Sequence, residues 1–369
     1  MPKPLIKYLR SWALFGHKWM GIIAAIPILI LCVTGLLLAF EKDLQEFEER
    51  EAFTITIPEN AASEPLSLSE IIDAIEPHLS GEQVHLYYPP RGPDRAVKIR
   101  TNKRTYLFVN PYTGEVTKTT KTPYPFMRGV RVMHTSFFLG DFGTWVAIIA
   151  AFAFLLLSLT GAFLFFKRRG GIFRKSKMRF DKGTQVSNLD LHSVIGFYAA
   201  GLLGLIALSG ALLGIGRPWQ QFIRDVTQSD WQERPRVTDF AEGAEMLPAD
   251  TLLDRIEAVA PEGLVIRMAI FPTRSTDPFR IRYSYPWADL PASWGYAHPG
   301  TGEILAFNHF PDYDAGQFIY VVNRALHSGD MFNDAMRWIW IILMLITVML
   351  IVTAYFIWRP QLKKKPKPS

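Results

Sequence analysis

Four histidines lie at the points where long uncharged stretches of this chain begin. They are His17, His134, His192 and His327. A histidine inside or beside a membrane-spanning helix is costly, because its imidazole ring is polar and the lipid is not. The same ring is a common ligand of haem iron and of other transition metals. The four positions therefore predict metal-bound redox chemistry next to a membrane.

Four uncharged stretches are long enough to carry these histidines across a membrane. They cover residues 19–40, 142–166, 193–216 and 338–358. Each exceeds the roughly 20 residues that an α-helix needs to cross the hydrocarbon core. The first stretch has a basic start like a signal peptide, but it is too long and no A-x-A cleavage site follows it. We expect a retained anchor and a mainly α membrane protein with a four-helix transmembrane bundle.

Basic residues cluster in three segments, and this predicts the topology. The amino end, the loop at 167–192 and the tail at 359–369 are rich in lysine and arginine. The positive-inside rule places all three in the cytoplasm. The segments at 41–141 and 217–337 are then external domains. The net charge of +6 is explained by topology, so it predicts no nucleic-acid partner.

The chain has a single cysteine, Cys32, inside the first stretch. One cysteine excludes an intramolecular disulfide, a cysteine-ligated iron–sulfur cluster and a C-x-x-C-H haem attachment site. Any haem would therefore be held non-covalently, as haem b.

Sequence matches between the two halves of the chain indicate a parallel internal repeat. When the sequence is aligned with itself, one offset places His17 on His192 and Gly21 on Gly196. A second offset places Arg131 on Arg324 and His134 on His327. Each half then consists of a helix, an external segment and a helix, in the same orientation.

Each external segment is predicted to be a small α+β domain. Ser67 and Glu70 form a capping box that opens a short helix to about Leu79, and a second helix is expected near 250–260. Alternating apolar and polar residues then predict antiparallel strands. The strands are expected at 83–88, 96–100, 105–110 and 115–118, and at 264–271, 279–285, 293–298 and 303–308.

The alternating topology sorts the histidines into two pairs. His17 and His192 share the cytoplasmic level and are called here the inner pair; His134 and His327 share the external level and are the outer pair. Two histidines that face each other in a bundle can hold one six-coordinate haem. The chain is thus expected to bind two haem b groups. The alternatives are other histidine-bound metals, or interfacial histidines bonded to lipid headgroups or backbone.

Smaller features support this arrangement without requiring it. Gly21 and Gly196 follow their histidines by four residues, on the same helix face, where they could give clearance to a porphyrin. Arg131 and Arg324 precede the outer histidines by three residues and could pair with haem propionates. Ordinary small-residue packing and interfacial anchoring explain the same residues equally well.

The outer pair is expected at or just beyond the membrane surface. A single helix from His134 to Phe166 would be about 50 Å long, well beyond the hydrocarbon core. His298 and His309, in the second external segment, are the candidate iron contacts on the soluble side.

Several short motifs recur along the chain. They are His17-Lys-Trp-Met-Gly21, Thr34-Gly35, Leu-His134 ahead of Gly140 and Trp145, Thr160-Gly161, and the Asn-Pro-Tyr-Thr-Gly-Glu turn that starts at Asn110. With these motifs the sequence resembles the PepSY-associated transmembrane family over nearly its whole length. The resemblance implies an inner-membrane protein of bacteria with PepSY-like external domains. It also implies a ferric-siderophore reductase, with a hydroxamate such as ferrioxamine as one candidate substrate.

The leading hypothesis from sequence is a di-haem reductase that passes electrons from quinol or a cytoplasmic flavoprotein to an external ferric siderophore. No Gly-rich dinucleotide fingerprint follows a predicted strand, so flavin or nicotinamide chemistry would belong to a partner. A quinol-linked cytochrome with another acceptor is the nearest alternative. A haem-free siderophore permease and a PepSY scaffold are the others.

Overall fold

The structure is a computed structural model that describes residues 3–57, 64–166, 171–230, 234–241, 243–288, 290–331 and 333–362. Part of the basic loop, 167–170, and the basic tail from 363 onward lie outside the described residues. The sequence prediction for those basic side chains therefore stays a prediction.

The described residues form twelve α-helices, which carry both the membrane spans and the external segments. They are α1 (Lys3–Leu38), α2 (Glu41–Glu48), α3 (Arg50–Phe53), α4 (Leu68–Ile75), α5 (Pro125–Ser136), α6 (Gly140–Phe166), α7 (Ile172–Lys175), α8 (Thr184–Ile215), α9 (Arg217–Thr227), α10 (Ala249–Glu257), α11 (Ala315–Ser328) and α12 (Asn333–Leu362).

Four of these helices are long and apolar enough to cross a membrane, as expected from the sequence. Their apolar portions are Ile6–Leu38, Gly140–Phe166, Thr184–Ile215 and Ala335–Arg359. Helices α1 and α8 each contact both α6 and α12. The four spans thus form a closed bundle in which α1 lies across from α8.

The strands of both external segments form one continuous antiparallel sheet. They are β1 (Val84–Tyr88), β2 (Val97–Thr101), β3 (Tyr106–Val109), β4 (Val116–Thr120), β5 (Val265–Ile270), β6 (Phe279–Ser284), β7 (Ser293–Ala297) and β8 (Ile304–Asn308). The order across the sheet is β4-β3-β2-β1-β5-β6-β7-β8. The expectation of two separate domains is corrected here. Strands β1 and β5 would each be an unpaired edge, and they satisfy each other by pairing Leu86 with Ile270 and Tyr87 with Ala269.

One face of this sheet is covered by α4 and α10. The alternation of side chains along each strand places Ile99 and Leu107 under α4, and Ile281 under α10, where all three are fully buried. The predicted capping box is present, with Ser67 and Glu70 each bonded to the other's backbone N–H. The two helices also cap each other, because the Asp250 carboxylate accepts from the N–H groups of Leu68 (2.9 Å) and Ser69 (3.2 Å).

The opposite face of the sheet is turned toward the bundle. Phe108 of β3 packs there against Met127 and Val130 of α5, in a cluster that also includes Leu37 and Leu38 at the end of α1. The sheet therefore lies over one end of the four-helix bundle, which we call the sheet end.

The helix that carries His134 does not continue into the second span. Helix α5 ends at Ser136, Phe137 and Phe138 adopt left-handed backbone conformations, and α6 begins at Gly140. The expected unbroken helix from His134 to Phe166 is therefore wrong. The chain folds back on itself because Gly143 lacks a side chain; a Cβ there would lie 1.7 Å from the Ser136 carbonyl oxygen.

Candidate functional site

The structure brings the four histidines together in the two expected pairs. The ring centres of His17 and His192 are 6.2 Å apart. Those of His134 and His327 are also 6.2 Å apart. Each pair takes one histidine from each half of the chain, and the outer pair lies at the sheet end of the bundle.

This spacing matches two imidazoles that bind one metal ion from opposite sides. With metal–nitrogen bonds of about 2.0–2.1 Å, the two ring centres in such a complex lie about 6.3 Å apart. The two pairs share this separation although their interplanar angles differ, at 85° and 45°. Aromatic rings in direct contact also reach it, as Phe40 and Trp338 do at 6.2 Å, so the metal-binding interpretation rests on the distance together with the residue type.

The Nδ1 atom of every paired histidine is held by a hydroxyl from a neighbouring helix. The contacts are His17 with Thr160 (2.9 Å), His134 with Thr34 (2.9 Å), His192 with Thr353 (3.1 Å) and His327 with Ser209 (3.2 Å). Sequence reasoning used Thr34-Gly35 and Thr160-Gly161 only as motifs of the family resemblance. It missed their bonds to histidine, since the bonded residues lie far apart along the chain.

These contacts fix which ring nitrogen carries the proton. The hydroxyls of Thr160 and Thr34 donate their single proton to backbone carbonyls one turn earlier, at 2.7 Å and 2.6 Å. They can therefore only accept from the imidazole N–H. His192 and His327 also lie within 3.0 Å and 3.2 Å of the carbonyls of Leu350 and Ile206. In all four rings Nδ1 donates, so Nε2 keeps the lone pair that binds a metal.

Glycines make room for three of the four rings. A Cβ on Gly161 would lie 3.2 Å from Cε1 of His17, and one on Gly35 would lie 3.3 Å from Cε1 of His134. At Gly210 the distance to Cε1 of His327 would be only 2.6 Å. Ala354 occupies the corresponding place after Thr353. These glycines thus give clearance to the histidine rings.

The first span of each half of the chain, α1 and α8, serves both sites. Helix α1 supplies His17 to the inner pair and Thr34 to the outer pair, about 26 Å apart along a helix. Helix α8 supplies His192 and Ser209 in the same way. One rigid element therefore fixes parts of both sites at once.

The predicted auxiliary residues are placed as follows. A Cβ on Gly21 would meet Leu157 at 3.6 Å, and one on Gly196 would meet Leu350 at 3.3 Å, so both face side chains of a neighbouring span. Arg131 forms an ion pair with Glu41 of α2. Arg324 is exposed on α11, on the helix that carries His327.

The two soluble-side candidates are not brought together with the four paired histidines by any described contact. His298 is buried; its Nε2 lies 3.0 Å from Asp239, and its Nδ1 accepts from the N–H groups of Gly300 and Thr301. It therefore organises a turn. His309 lies 3.7 Å from Asp312 on the edge of the sheet.

No group of three or more His, Cys, Asp or Glu side chains among the described residues could hold a metal ion. Two-histidine sites of this kind suit a haem, whose porphyrin supplies the remaining donors.

The family model described as the PepSY-associated TM region matches residues 16–360. No curated protein matches the chain. The matched range includes all four paired histidines and the whole of the eight-stranded sheet.

Proposed function

Because the chain belongs to the PepSY-associated transmembrane family, we propose that it is a membrane oxidoreductase that holds two haem b groups and reduces an external ferric siderophore. The observation that carries this proposal is the pair of histidine–histidine distances, 6.2 Å at both sites. We also infer that the two halves are a parallel duplication, since each contributes one histidine and one hydroxyl to each site.

The residues present fit a b-type haem at each pair. His17 and His192 would hold the inner haem, and His134 and His327 would hold the outer haem. When bound, the two haems would supply one-electron carriers at the two ends of the bundle. Haem held by two histidines would favour electron transfer over oxygen chemistry.

The chain's own groups prepare this chemistry. The four hydroxyls hold Nδ1 of each imidazole and leave the Nε2 lone pair for a ligand, so little reorganisation is needed when a ligand binds. All four histidines are partly buried in the bundle. The donor on the cytoplasmic side would be quinol or a flavoprotein.

Reduction at the sheet end would release iron. A ferric chelate gains one electron there and becomes a ferrous chelate. The hard oxygen donors of a siderophore hold Fe(III) far more tightly than they hold Fe(II), so the reduced ion leaves. The products are the free chelator and Fe(II).

The test is the visible spectrum of the detergent-purified protein, oxidised and dithionite-reduced. We expect b-type bands from two haems per chain. His17→Ala should remove the inner haem and His134→Ala the outer one, whereas His78→Ala, an exposed histidine on the sheet side, should remove neither. Protein that is colourless when made in haem-replete cells would contradict the proposal.

The acceptor is tested separately. The reduced protein should be reoxidised by a ferric siderophore under anaerobic conditions, with Fe(II) captured by ferrozine. A di-haem spectrum without this reoxidation would instead support a quinol-linked cytochrome with another acceptor.

A further inference from the structure

Four basic side chains lie on the sheet face that is turned toward the bundle. On β2, Lys98 and Arg100 alternate with the buried residues Val97 and Ile99. On β6, Arg280 and Arg282 alternate with Phe279, Ile281 and Tyr283 in the same way. Because successive side chains of a strand point to opposite faces, all four cations share the bundle-facing side. We call these four residues the cationic face.

The strand register sets the cations on either side of an apolar strip. Arg100 is paired with Leu86, Leu86 with Ile270, and Ile270 with Arg280. Three strand spacings separate the two arginines, so their Cα atoms are about 14 Å apart. Side chains as long as arginine can reach the same small anion across that gap.

The cationic face lies close to the outer pair of histidines. Phe108 on the neighbouring strand β3 packs against α5, the helix of His134. Arg282 is near Arg324 of α11, the helix of His327. A ligand on this face would therefore sit between the sheet and the outer site.

Several carboxylates near this face are already paired with other cations. Among the described residues, the nearby carboxylates include Glu41, Glu46, Asp277 and Asp330. The first three already form ion pairs with Arg131, Arg91 and Arg234. Arg267 adds a further positive charge beside Arg282.

Two of these cations have a buried donor without a partner. In the described structure the Nε atoms of Arg100 and Arg280 are buried and have no hydrogen-bond partner. Burial, with Arg91 nearby, lowers the pKa of Lys98 to about 8. Burial likewise lowers the pKa of Arg280. A buried donor that lacks a partner is expensive, and an anion that accepts from the Nε–H groups of Arg100 and Arg280 would relieve that cost.

We infer that the cationic face binds an anionic ferric chelate, one whose carboxylate or catecholate groups leave it with a net negative charge; this rests on the proposed function. A chelate of hydroxamates is neutral at its iron centre, and ferrioxamine adds an ammonium group, so it has no comparable attraction to this face. The four cations on one face, with the unpartnered Nε–H groups of Arg100 and Arg280 among them, would select the substrate by charge.

Haem propionates are the other source of carboxylates that could reach these cations. Both sources use the same charge-assisted hydrogen bonds. The two sources can be told apart by experiment. Loss of propionate contacts would reduce haem retention, whereas loss of chelate contacts would reduce the binding of an added anion.

The experiment uses gallium(III) chelates, which resemble ferric chelates but are not reduced. Calorimetric titration of the purified protein with gallium–citrate should show binding that weakens as salt is added. Gallium–desferrioxamine B, which is a cation, should bind at least about tenfold more weakly. Because no electron transfer is involved, this result is independent of whether the protein reduces iron.

Variants then assign the binding to the cationic face. Arg100→Gln and Arg280→Gln should each weaken gallium–citrate binding by about tenfold or more, as expected for the loss of a charge-assisted bond. The matched controls, Lys103→Gln and Arg274→Gln, remove exposed charges from adjacent turns and should change it by less than about twofold.

Three outcomes would overturn the inference. The first is equal binding of the anionic and cationic gallium chelates by the unaltered protein, a measurement that needs no variant to fold. The second is binding that both arginine variants leave unchanged. The third is variants that lose haem but keep gallium–citrate binding, which would assign the cations to propionates alone.

Discussion

At the scale of single residues, each candidate ligand is oriented by a second side chain. The Nδ1 atom of His327 lies 3.2 Å from the Ser209 hydroxyl, and Gly210 next to it leaves space for the ring. Such outer contacts set the tautomer and direction of a metal-binding imidazole, and their loss typically weakens metal affinity about 10- to 100-fold. The hydroxyl–glycine pairs are therefore part of the sites as much as the histidines are.

Gly210→Ala tests this at the tightest contact. The new Cβ would lie 2.6 Å from Cε1 of His327, so the ring must shift from its position in the pair. We expect haem affinity at the outer pair to fall by about 10- to 100-fold, with the inner pair unaffected. The measurement is haem titration of the apoprotein, followed by the reduced spectrum.

Gly201→Ala on the same helix is the control, because a Cβ there meets nothing within 4 Å. If both variants bound haem like the original protein, the glycine would have no role in seating the ring.

At the scale of elements, local sequence patterns predicted most of the secondary structure. They did not predict the contacts between segments that are distant in sequence. Alternation gave strand bounds close to those observed, such as 279–285 against Phe279–Ser284 for β6. No local sequence pattern indicated that β1 pairs with β5, since the edge of either strand could have been exposed to water. The turn between α5 and α6 was missed because Phe137 and Phe138 are residues that rarely take left-handed conformations.

The histidine pairs were predictable because a polar ring beside an apolar stretch is conspicuous in sequence. Their hydroxyl partners were not, because a threonine inside a helix usually bonds its own backbone, and here Thr34 does that and accepts from His134 as well. The cationic face was also missed, although Lys-Ile-Arg at 98–100 and Arg-Ile-Arg at 280–282 are a visible match between the halves.

Gly143→Ala tests the junction of α5 and α6. A Cβ at this position would overlap the Ser136 carbonyl oxygen, at 1.7 Å, so α5 must separate from α6 and carry His134 with it. We expect loss of the outer haem and a destabilisation of at least about 1–3 kcal/mol. Haem content and the unfolding temperature report the two effects.

The control at this scale is Gly129→Ala on α5, where a Cβ would make an ordinary contact of 3.8 Å with Phe138. Retention of both haems by Gly143→Ala would show that the junction does not position His134.

At the scale of the whole molecule, the two external segments are joined above the bundle. The shared sheet and the mutual capping of α4 and α10 connect residues about 180 positions apart in sequence, such as Leu68 and Asp250. Strands β1 and β5 cover each other's edges, and Asp250 of the second segment accepts from the Leu68 and Ser69 N–H groups of the first. We therefore expect the two segments to unfold together.

Asp250→Ala removes the acceptor for the backbone N–H groups of Leu68 and Ser69. Loss of a helix cap costs about 1 kcal/mol, so a lower unfolding temperature is expected. Hydrogen exchange should increase in α4 and in α10 alike, although the substitution lies only in α10.

Asp254→Ala, an exposed residue on the same helix, should alter neither the unfolding temperature nor exchange in α4. Faster exchange confined to α10 in Asp250→Ala would mean that the two segments are independent.

The division of each histidine pair between the two halves of the chain also has a consequence for biogenesis. His17 has no partner until the third span, with His192, has been synthesised and inserted. The partner of His134 is synthesised later, since His327 lies on α11, just before the last span. The ribosome must therefore make about half of the polypeptide before the inner pair is complete, and nearly all of it before both pairs are. Any ligand that needs both histidines of a pair is acquired late, by a chain that is already anchored in the membrane.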